Sequence, residues 1–334
     1  MNSMATIKEI AEIIERSIGA ILSRVLNYDE TLNVQDETKK RIFEAADQLE
    51  YPLKDKKRRK RKLKIGVLYS YSLEEELEDT YYLSVRVAIE KKIEKEGYKK
   101  IRISSRDEKE NMAGLDGLIC LGTFSHSMEE KIQSFEKPAV FVDALPDYDG
   151  FDAVIHDIRR SVKKVMDYLI EQGHKKIAFI GGTETDSDGR EVVDTRTCLY
   201  RDYMKEKGLF LPEYLKVEGY TPRNGYHMMR ELLELPNQPT AVFVANDSLA
   251  IGCYKAVNEK GLLIPEDVSL IGYNDISAAK YLVPPLTTVK LYMEFMGERA
   301  VDILAERIWN EREIGIQTLI PSKLVLRESV KNLK

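Results

Sequence analysis

Short apolar segments alternate with amphipathic helical stretches from residue 65 to the end of this 334-residue chain. Each apolar segment is continuous, which is typical of strands that are buried on both faces of a sheet. Alternation of such strands with helices predicts a parallel, doubly wound α/β sheet, and two groups of strands predict two lobes. The candidate strands are 65–69, 101–104, 117–121, 139–142, 176–180, 214–217, 241–244, 268–271, 287–291 and 323–326.

Several of these strands end in small or polar residues. The sequences IGG (180–182), VAND (244–247) and GYND (272–275) each follow an apolar segment. Open α/β sheets bind ligands beyond the carboxyl ends of their strands. The sequence therefore predicts a binding cleft at these strand ends.

Residues 6–51 have a different pattern, that of three short amphipathic helices. Apolar residues recur at helical spacing, as in Ile18, Ile21, Leu22 and Val25. Tyr51-Pro52 ends the unit, because the residue before proline avoids the helical region. Three such helices can form a helix-turn-helix that reads DNA. A plain helical core remains the alternative.

A basic block separates the two parts. Residues 56–64 (KKRRKRKLK) contain eight lysines and arginines, whereas residues 1–55 have a net charge of −4 and residues 65–334 a net charge of −9. Such a block repels itself and often binds polyanions. It could equally be a solvated linker, and contact with nucleic acid follows only if the preceding helices read DNA.

Several classes of protein are excluded or disfavoured. Three cysteines and four histidines argue against a disulfide framework and a cysteine-rich zinc module, and we assign no residue as a metal ligand. No apolar run is long enough to cross a bilayer, and the first 25 residues carry too many charges for a signal peptide, so we expect a cytoplasmic protein. No phosphate-binding glycine motif or nucleophile elbow is present, so we expect neither enzyme nor cofactor. A secreted sugar-binding protein is also disfavoured.

Eight motifs follow one another along the chain: ATIKEIAE (5–12), SRVLN (23–27), VQDETKKRIFEAADQLEY (34–51), KKIAFIGG (175–182), ANDSLAIG (245–252), LIPEDVSLIGYND (263–275), PPLTTVKL (284–291) and KLVLRES (323–329). With these motifs the chain resembles the lactose-repressor/galactose-repressor (LacI/GalR) family of bacterial transcription regulators along essentially its whole length. Residues 69–90 and GYNDI are most similar to the branch of the evolved β-galactosidase repressor and the galactose repressors of Gram-positive bacteria.

This resemblance implies a helix-turn-helix head and a two-lobed core shaped like a periplasmic binding protein. It also implies a homodimer that reads a palindromic double-stranded operator, without a membrane partner, and a small effector bound between the lobes. The implied domains are a head at 1–52, a basic linker at 53–64, a first lobe at 65–157 plus 290–318, and a second lobe at 158–289 plus 319–334.

In the head, the resemblance implies phosphate contacts by Thr6, Ser23 and Asn27, base recognition by Arg24, and a place for Ser17 in the turn. Phosphate contacts position such a head, whereas contacts to base edges give it sequence specificity.

The turn departs from the family. Glu15 stands where the family has glycine, and a non-glycine residue in the left-handed region costs about 1–2 kcal/mol. Ser17 and Ser23 are one position further apart than in the family, and one extra helical residue rotates the rest of the helix by roughly 100°. Ile18, Gly19 and Ala20 offer no donors to bases. We therefore expect a weak or altered DNA binder whose affinity depends steeply on salt.

In the core, the resemblance implies an effector site, since arginine can donate paired hydrogen bonds to vicinal hydroxyls and aromatic faces pack on sugar rings. The implied ligand residues are Asp79, Tyr81, Tyr82, Arg196, Tyr220, Asn246 and Asn274. Each has a structural alternative. These are a surface ion pair of Arg196 with Asp194, loop capping by the two asparagines, a place in the first lobe's core for Asp79, Tyr81 and Tyr82, and surface packing by Tyr220. We interpret Asp275 as a brace for its loop.

These observations predict a sugar-responsive repressor of an operon for the use of galactose or a β-galactoside. The choice of sugar rests on the branch that the chain resembles and not on any spacing of residues. One alternative is a sugar sensor whose altered head no longer binds DNA specifically. A sugar-metabolising enzyme is a further, less favoured alternative.

Overall fold

A computed structural model of the chain describes residues 19–26, 34–49, 62–72, 76, 80–104, 107 and 109–334. The chain divides into two compact units, Met1–Lys62 and Leu63–Lys334. The α-helices are α1 (Gly19–Leu26), α2 (Asp36–Gln48), α3 (Thr80–Lys95), α4 (Lys109–Met112), α5 (His126–Ser134), α6 (Ile158–Glu171), α7 (Thr195–Glu206), α8 (Pro222–Glu234), α9 (Asp247–Glu259) and α10 (Met293–Asn310). Short 3₁₀ helices occupy Pro212–Tyr214 and Ser277–Tyr281.

The strands all lie in the second unit. They are β1 (Lys64–Tyr69), β2 (Lys99–Ile103), β3 (Gly117–Leu121), β4 (Ala139–Val142), β5 (Asp152–His156), β6 (Ile177–Thr185), β7 (Glu191–Val193), β8 (Leu215–Glu218), β9 (Ala241–Val244), β10 (Ser269–Asn274), β11 (Thr287–Lys290), β12 (Gln317–Ile320) and β13 (Lys323–Val325).

The first unit has a small apolar core between α1 and α2. Its buried side chains are Leu22, Val25, Leu26, Ile42, Ala45 and Ala46. Burial of each leucine or isoleucine contributes roughly 1.5–3 kcal/mol, so these contacts hold the two helices together. The predicted apolar stripe of the second helix is confirmed at Leu22 and Val25. The predicted first helix lies outside the described residues.

The first lobe is built on a parallel sheet with the order β12-β5-β4-β3-β1-β2. Its central strands β3 and β4 are buried throughout, as continuous apolar strands should be. The long helix α10 packs against α3 on this lobe. The carboxyl ends of the strands, which include Asp143 after β4 and His156 at the end of β5, face the second lobe.

The second lobe is built on a mostly parallel sheet with the order β13-β11-β10-β9-β6, and β8 pairs with β6 on the other side. Helices α8 and α9 pack very closely, because Gly252 has no side chain: a Cβ there would lie 1.9 Å from the Pro222 carbonyl oxygen. Beyond Gly182, β6 continues as one arm of an antiparallel hairpin with β7. We call residues 183–193 the hairpin arm.

The chain crosses between the two sheets three times, after His156, after Lys290 and after Ile320. The predicted lobe boundaries differ slightly from these crossings. Lys290 still pairs with Asn274 in the second sheet, and β12 adds Leu319 and Ile320 to the first sheet. The predicted start of the first lobe's last segment at residue 290 is therefore one residue too early. The predicted start of the second lobe's last segment at residue 319 is two residues too early.

The described residues contain three strands that the sequence analysis did not predict, β5, β7 and β12. Strand β5 begins with a buried charge, Asp152, which accepts hydrogen bonds from Arg312 at 2.8 and 3.1 Å and from the Ile316 backbone at 2.8 Å. These partners compensate the burial of an acidic residue inside a sheet. Because the strand begins with a charge, the search for continuous apolar segments does not detect it. Among the described residues, no helix has the length and apolar character needed to cross a membrane.

Candidate ligand-binding cleft

Arg196 lies at the start of α7, next to the carboxyl ends of β6 and β9. Its Nε donates to both carboxylate oxygens of Asp194, at 2.7 and 3.0 Å, and its Nη1 donates to the Ala245 carbonyl at 2.7 Å. Its Nη2 donates to the Tyr220 hydroxyl at 3.2 Å. Arginine has five N–H donors, so these contacts leave one N–H on each terminal nitrogen for another acceptor.

The ion pair between Arg196 and Asp194 is largely buried, with 14% and 5% of the two side chains exposed. Burial alone would lower the pKa of Arg196, but the facing Asp194 carboxylate raises it well above its ordinary value, so the guanidinium stays charged. Asp194 also caps α7 by accepting from the Arg196 backbone N–H at 2.8 Å. The predicted alternative, an ion pair with Asp194, is thus present, but it lies inside the protein and leaves donors available.

Two aromatic rings hold the guanidinium in place. Its carbon lies 5.1 Å from the centre of the Tyr273 ring and 5.7 Å from that of Tyr220. The Tyr220 hydroxyl donates to the Asp194 carboxylate. Tyr220 also covers Gly182, where an added Cβ would lie 2.6 Å from the ring. Tyr220 is therefore a fixed wall of the cleft.

Tyr81 and Tyr82 lie on the first turn of α3 and are the predicted first-lobe residues of the cleft that the structure describes. Tyr81 is buried and directs its hydroxyl towards Met296 Sδ at 3.8 Å. Tyr82 stacks on Tyr71 with ring centres 4.5 Å apart. The pKa of Tyr82 is raised by burial and then by Glu184 and Asp143, which places it beside carboxylates of both lobes. Asp79, the third predicted residue of this lobe, lies outside the described residues.

The two predicted asparagines are buried at strand ends in the second lobe. Asn246 caps α9, because its Oδ1 accepts from the Leu249 backbone N–H at 2.8 Å. This is the structural role that the sequence left open, and it occupies one of the oxygen's lone pairs. Asn274 ends β10 with a φ of 110°, which turns the backbone sharply. Asp275 follows it and accepts from Arg327 Nη2 at 2.5 Å, in agreement with its interpretation as a brace.

Three polar residues that sequence reasoning missed also face this cleft. Asp143 follows β4, and burial followed by the charge of Glu184 raises the pKa of its carboxyl from 3.8 to about 7. Glu184 belongs to the hairpin arm and accepts from Thr123 Oγ1 of the first lobe at 2.7 Å. Asp143 follows a predicted strand, so a search for polar residues at the carboxyl ends of strands could have found it.

The third missed residue is His156, at the end of β5. It is 4% exposed, and neither of its ring nitrogens has a hydrogen-bond partner among the described residues. Burial, followed by the nearby charge of Arg196, lowers the pKa of its imidazole to about 4, so the ring is neutral at pH 7. Its ring centre lies 6.1 Å from that of Tyr81. A neutral imidazole can donate and accept at the same time, as a sugar hydroxyl does.

The hairpin arm joins the two lobes at the rim of the cleft. Ser187 Oγ accepts from the Ser125 backbone N–H at 3.0 Å and lies 2.9 Å from Ser125 Oγ. Ser127 Oγ donates to Asp188 at 2.7 Å. Together with the bond between Thr123 and Glu184, these contacts connect the two lobes at the rim of the cleft.

Of the predicted DNA-contacting residues, the structure describes Ser23 and Arg24, both on α1. Leu22 and Val25 on the same helix face the core, so Arg24 lies on the exposed side and Ser23 at its edge. Each of the two polar residues takes part in at least one further interaction. Thr6, Ser17 and Asn27 lie outside the described residues, as do Glu15 and the lengthened turn.

One further cluster could ligate a cation. His126, Glu129 and Asp147 offer ligand atoms within 4.8 Å of one another. However, Glu129 already accepts from the Asp147 backbone N–H at 2.9 Å, and the other two side chains are exposed. These contacts account for the cluster without an ion.

Comparison with known proteins agrees with this architecture. Residues 166–330 match the model of a periplasmic binding protein-like domain. The HTH-type transcriptional regulator GanR of Bacillus subtilis is 37% identical, over 98% of this chain and 100% of its own length. The HTH-type transcriptional regulator GalR of Streptococcus thermophilus is 35% identical, again over 98% of this chain and 100% of its own length. A crystal structure of a LacI family transcriptional regulator from Enterococcus faecium with bound ribose is 25% identical, with a TM-score of 0.68, over 81% of this chain and 100% of that one.

Proposed function

The chain belongs to the lactose-repressor/galactose-repressor family of sugar-responsive, DNA-binding transcription regulators, and from this premise we propose that it represses an operon for the use of galactose or a β-galactoside. The observation that supports this proposal most directly is the Arg196 site. A charged guanidinium with N–H donors to spare lies at the strand ends, between two aromatic rings and opposite the first lobe.

The chemistry of this site fits a sugar. Two parallel N–H donors match vicinal hydroxyls, and they are already oriented by Asp194 and the Ala245 carbonyl. Tyr220 offers a ring face for the C–H side of a pyranose. Asn246, Asn274, Tyr81 and Tyr82 complete the ligand set that we propose, together with Asp79.

A sugar bound between the lobes would act by shifting a conformational equilibrium. It can favour one arrangement only by as much as it binds that arrangement more tightly than the other. The closed arrangement is held by hydrogen bonds from the hairpin arm to Thr123, Ser125 and Ser127. We propose that a homodimer in the cytoplasm transmits this equilibrium to its two heads on a palindromic operator.

In the head, we propose base recognition by Arg24, and phosphate or turn contacts by Thr6, Ser17, Ser23 and Asn27. The basic block at 56–64 adds electrostatic affinity that does not depend on sequence. A second candidate function is a sugar sensor that has lost specific DNA binding. The position of Glu15 and the longer spacing between Ser17 and Ser23 favour it. An enzyme is not part of the proposal, since the full-length relatives are regulators.

A mobility-shift assay tests both candidates. The full-length protein is titrated onto the DNA upstream of its own gene, and onto a shuffled control, at two salt concentrations and with or without galactose or lactose. We expect a preference for the upstream DNA that survives at the higher salt and changes when sugar is added. Equal binding to both DNAs at low salt, together with calorimetric sugar binding, would favour the sensor and exclude the repressor.

A further inference from the structure

Carboxylates outnumber cations around the cleft, and they come from both lobes. In the part of the chain that the structure describes, the charged side chains that act on one another there are Asp143 from the first lobe and Glu184, Asp194 and Arg196 from the second. Asp194 is matched by Arg196, with which it forms a bidentate contact. Asp143 is only partly ionised at pH 7, because the pKa of its carboxyl is about 7, so Glu184 and the ionised fraction of Asp143 give the group its excess of negative charge.

His156 adds no positive charge to this group. It is buried next to Arg196 and is neutral at pH 7, so it cannot serve as a cation for a bound anion. The excess of acid is also evident at Asp143, whose pKa of about 7 results from burial and then from Glu184.

Two helix N-termini reach the cleft, and such termini can bind anions. Here each carries a side-chain cap of its own. Asp194 places a carboxylate on the first turn of α7, and Asn246 accepts from the first turn of α9. Asp247 adds a further buried carboxyl at the start of α9, where it accepts from Thr288 Oγ1 at 2.7 Å. A phosphate at either terminus would therefore compete with a cap and meet an acidic side chain.

We propose that the cleft selects an uncharged sugar and rejects the phosphorylated or carboxylated form of the same sugar, with Asp143 and Glu184 as the residues that exclude the anion. This inference rests on the proposed function, because it specifies the chemical class of the sugar at the same site. A phosphate brings two negative charges close to carboxylates in a partly dry cleft, where repulsion is weakly screened. Hydroxyls, in contrast, can donate to those carboxylates and accept from Arg196 and His156.

Calorimetric titration of the full-length protein with matched sugar pairs tests this proposal. The pairs are galactose and galactose 6-phosphate, galactose and galacturonate, glucose and glucose 6-phosphate, and ribose and ribose 5-phosphate. We expect binding by at least one neutral sugar, and affinity at least about 100-fold weaker for its anionic partner at low salt. The difference in affinity between the neutral and the anionic sugar should become smaller at high salt, because the repulsion is electrostatic.

Three variants locate the source of the selection. Asp143→Asn and Glu184→Gln should each raise the affinity for the anionic sugar relative to the neutral one. Glu234→Gln removes the same charge from an exposed position on α8, and it should leave the ratio of the two affinities unchanged. Circular dichroism and thermal unfolding report whether each variant is folded, independently of sugar binding.

The outcomes separate this inference from the galactose assignment. If glucose or ribose binds and galactose does not, the galactose assignment fails and the selection for uncharged sugars stands. Equal or tighter binding of an anionic sugar than of its neutral partner would overturn the selection, even if galactose also binds. Unchanged affinity ratios in both cleft variants would overturn the roles of Asp143 and Glu184, and binding by no neutral sugar would count against the whole inference.

Discussion

The two lobes contribute to the cleft in different ways. On the second lobe, Arg196, Asp194 and Tyr220 hold one another by hydrogen bonds and are oriented before any ligand arrives. On the first lobe, His156 is buried without a described partner, and the Asp143 carboxyl, which is hydrogen-bonded to Tyr81, has a pKa raised to about 7. The second lobe thus has a preorganised binding surface, whereas the first lobe has in His156 a polar group whose burial a ligand would compensate.

This difference suggests an order of events. A sugar that binds the second lobe first loses little to reorganisation, because Asp194, the Ala245 carbonyl and Tyr220 already hold the Arg196 guanidinium in place. Closure then brings the hydroxyls to the first lobe, where they can pair with His156 and Asp143. The first lobe would therefore determine how strongly the sugar favours the closed arrangement. Four substitutions test this contrast, and they are considered in order of decreasing expected effect.

Replacement of Arg196, the central donor of the second lobe, should have the largest effect on sugar binding. We expect Arg196→Ala to weaken sugar binding by at least about 100-fold, because hydrogen bonds from a charged donor contribute about 1.5–3 kcal/mol each. Calorimetry measures the affinity, and thermal unfolding measures the cost of leaving Asp194 buried without its cation.

Two further variants make this test specific. Arg196→Lys keeps a charge beside Asp194 but loses the planar fork, so it should still bind at least about tenfold more weakly. Arg223→Ala removes an exposed arginine of α8 and should bind sugar normally. Retention of full affinity by Arg196→Ala would show that the second lobe is not the primary binding surface.

The next largest effect concerns the stability of the first lobe. In the unfolded chain the Asp143 carboxyl ionises near 3.8, whereas in the folded protein it keeps its proton up to about 7. As the pH rises through this window, the unfolded chain loses its proton first, so this group lowers the free energy of unfolding. Between pH 5 and pH 8 the loss is on the order of 1–3 kcal/mol.

Asp143→Asn removes this titration. We therefore expect the variant to gain stability over the original chain at pH 8 and to gain less at pH 5, as measured by urea unfolding at both values. Asp202→Asn, on the exposed side of α7, is the matched control and should show no such pH-dependent difference. An equal effect of Asp143→Asn at both pH values would contradict the raised pKa.

A smaller effect should distinguish binding from stability at His156. We expect His156→Leu to weaken sugar binding about tenfold, while the thermal stability stays the same or increases, because no described hydrogen bond is lost. His174→Leu is the contrasting control. That buried histidine contacts Thr240 Oγ1 at 2.9 Å and the Lys331 carbonyl at 3.1 Å. Its replacement should therefore destabilise the protein and leave the affinity for the sugar unchanged. Unchanged affinity in His156→Leu would remove the residue from the site.

The same contrast explains how far the sequence could reveal the cleft. Arg196, Tyr220, Asn246 and Asn274 follow apolar strands or match a family motif, and the structure places them near the strand ends of the second lobe, while their contact with a ligand stays a prediction. The predicted strands are present, although β6 and β10 continue beyond their predicted ends. Sequence patterns could not reveal that Asn246 Oδ1 caps α9, since capping and ligand binding use the same residue type at the same place.

The first-lobe side was harder to predict, and for a physical reason. His156 ends a strand that begins with the buried Asp152, which needs arginines from a segment about 160 residues further along the chain. Such long-range compensation leaves no local pattern. On the second lobe the same is true of Glu184, which in the sequence is a polar residue shortly after Gly182; only the fold shows that its arm extends across to Thr123. Contacts between lobes therefore required the structure.

The smallest expected effect lies at the contact between the lobes. Ser187→Ala removes the acceptor for the Ser125 backbone N–H and the contact with Ser125 Oγ, but keeps the bonds to Asp188 and Glu184. A net hydrogen bond contributes about 0.5–1.5 kcal/mol, so we expect sugar affinity to fall about two- to tenfold if the bound protein is closed. Ser134→Ala, whose hydroxyl donates only to the Lys131 carbonyl within α5, should bind normally. An unchanged affinity in Ser187→Ala would mean that the hairpin arm contributes equally to the sugar-free and sugar-bound states, and that closure depends on the ligand's own contacts with the first lobe.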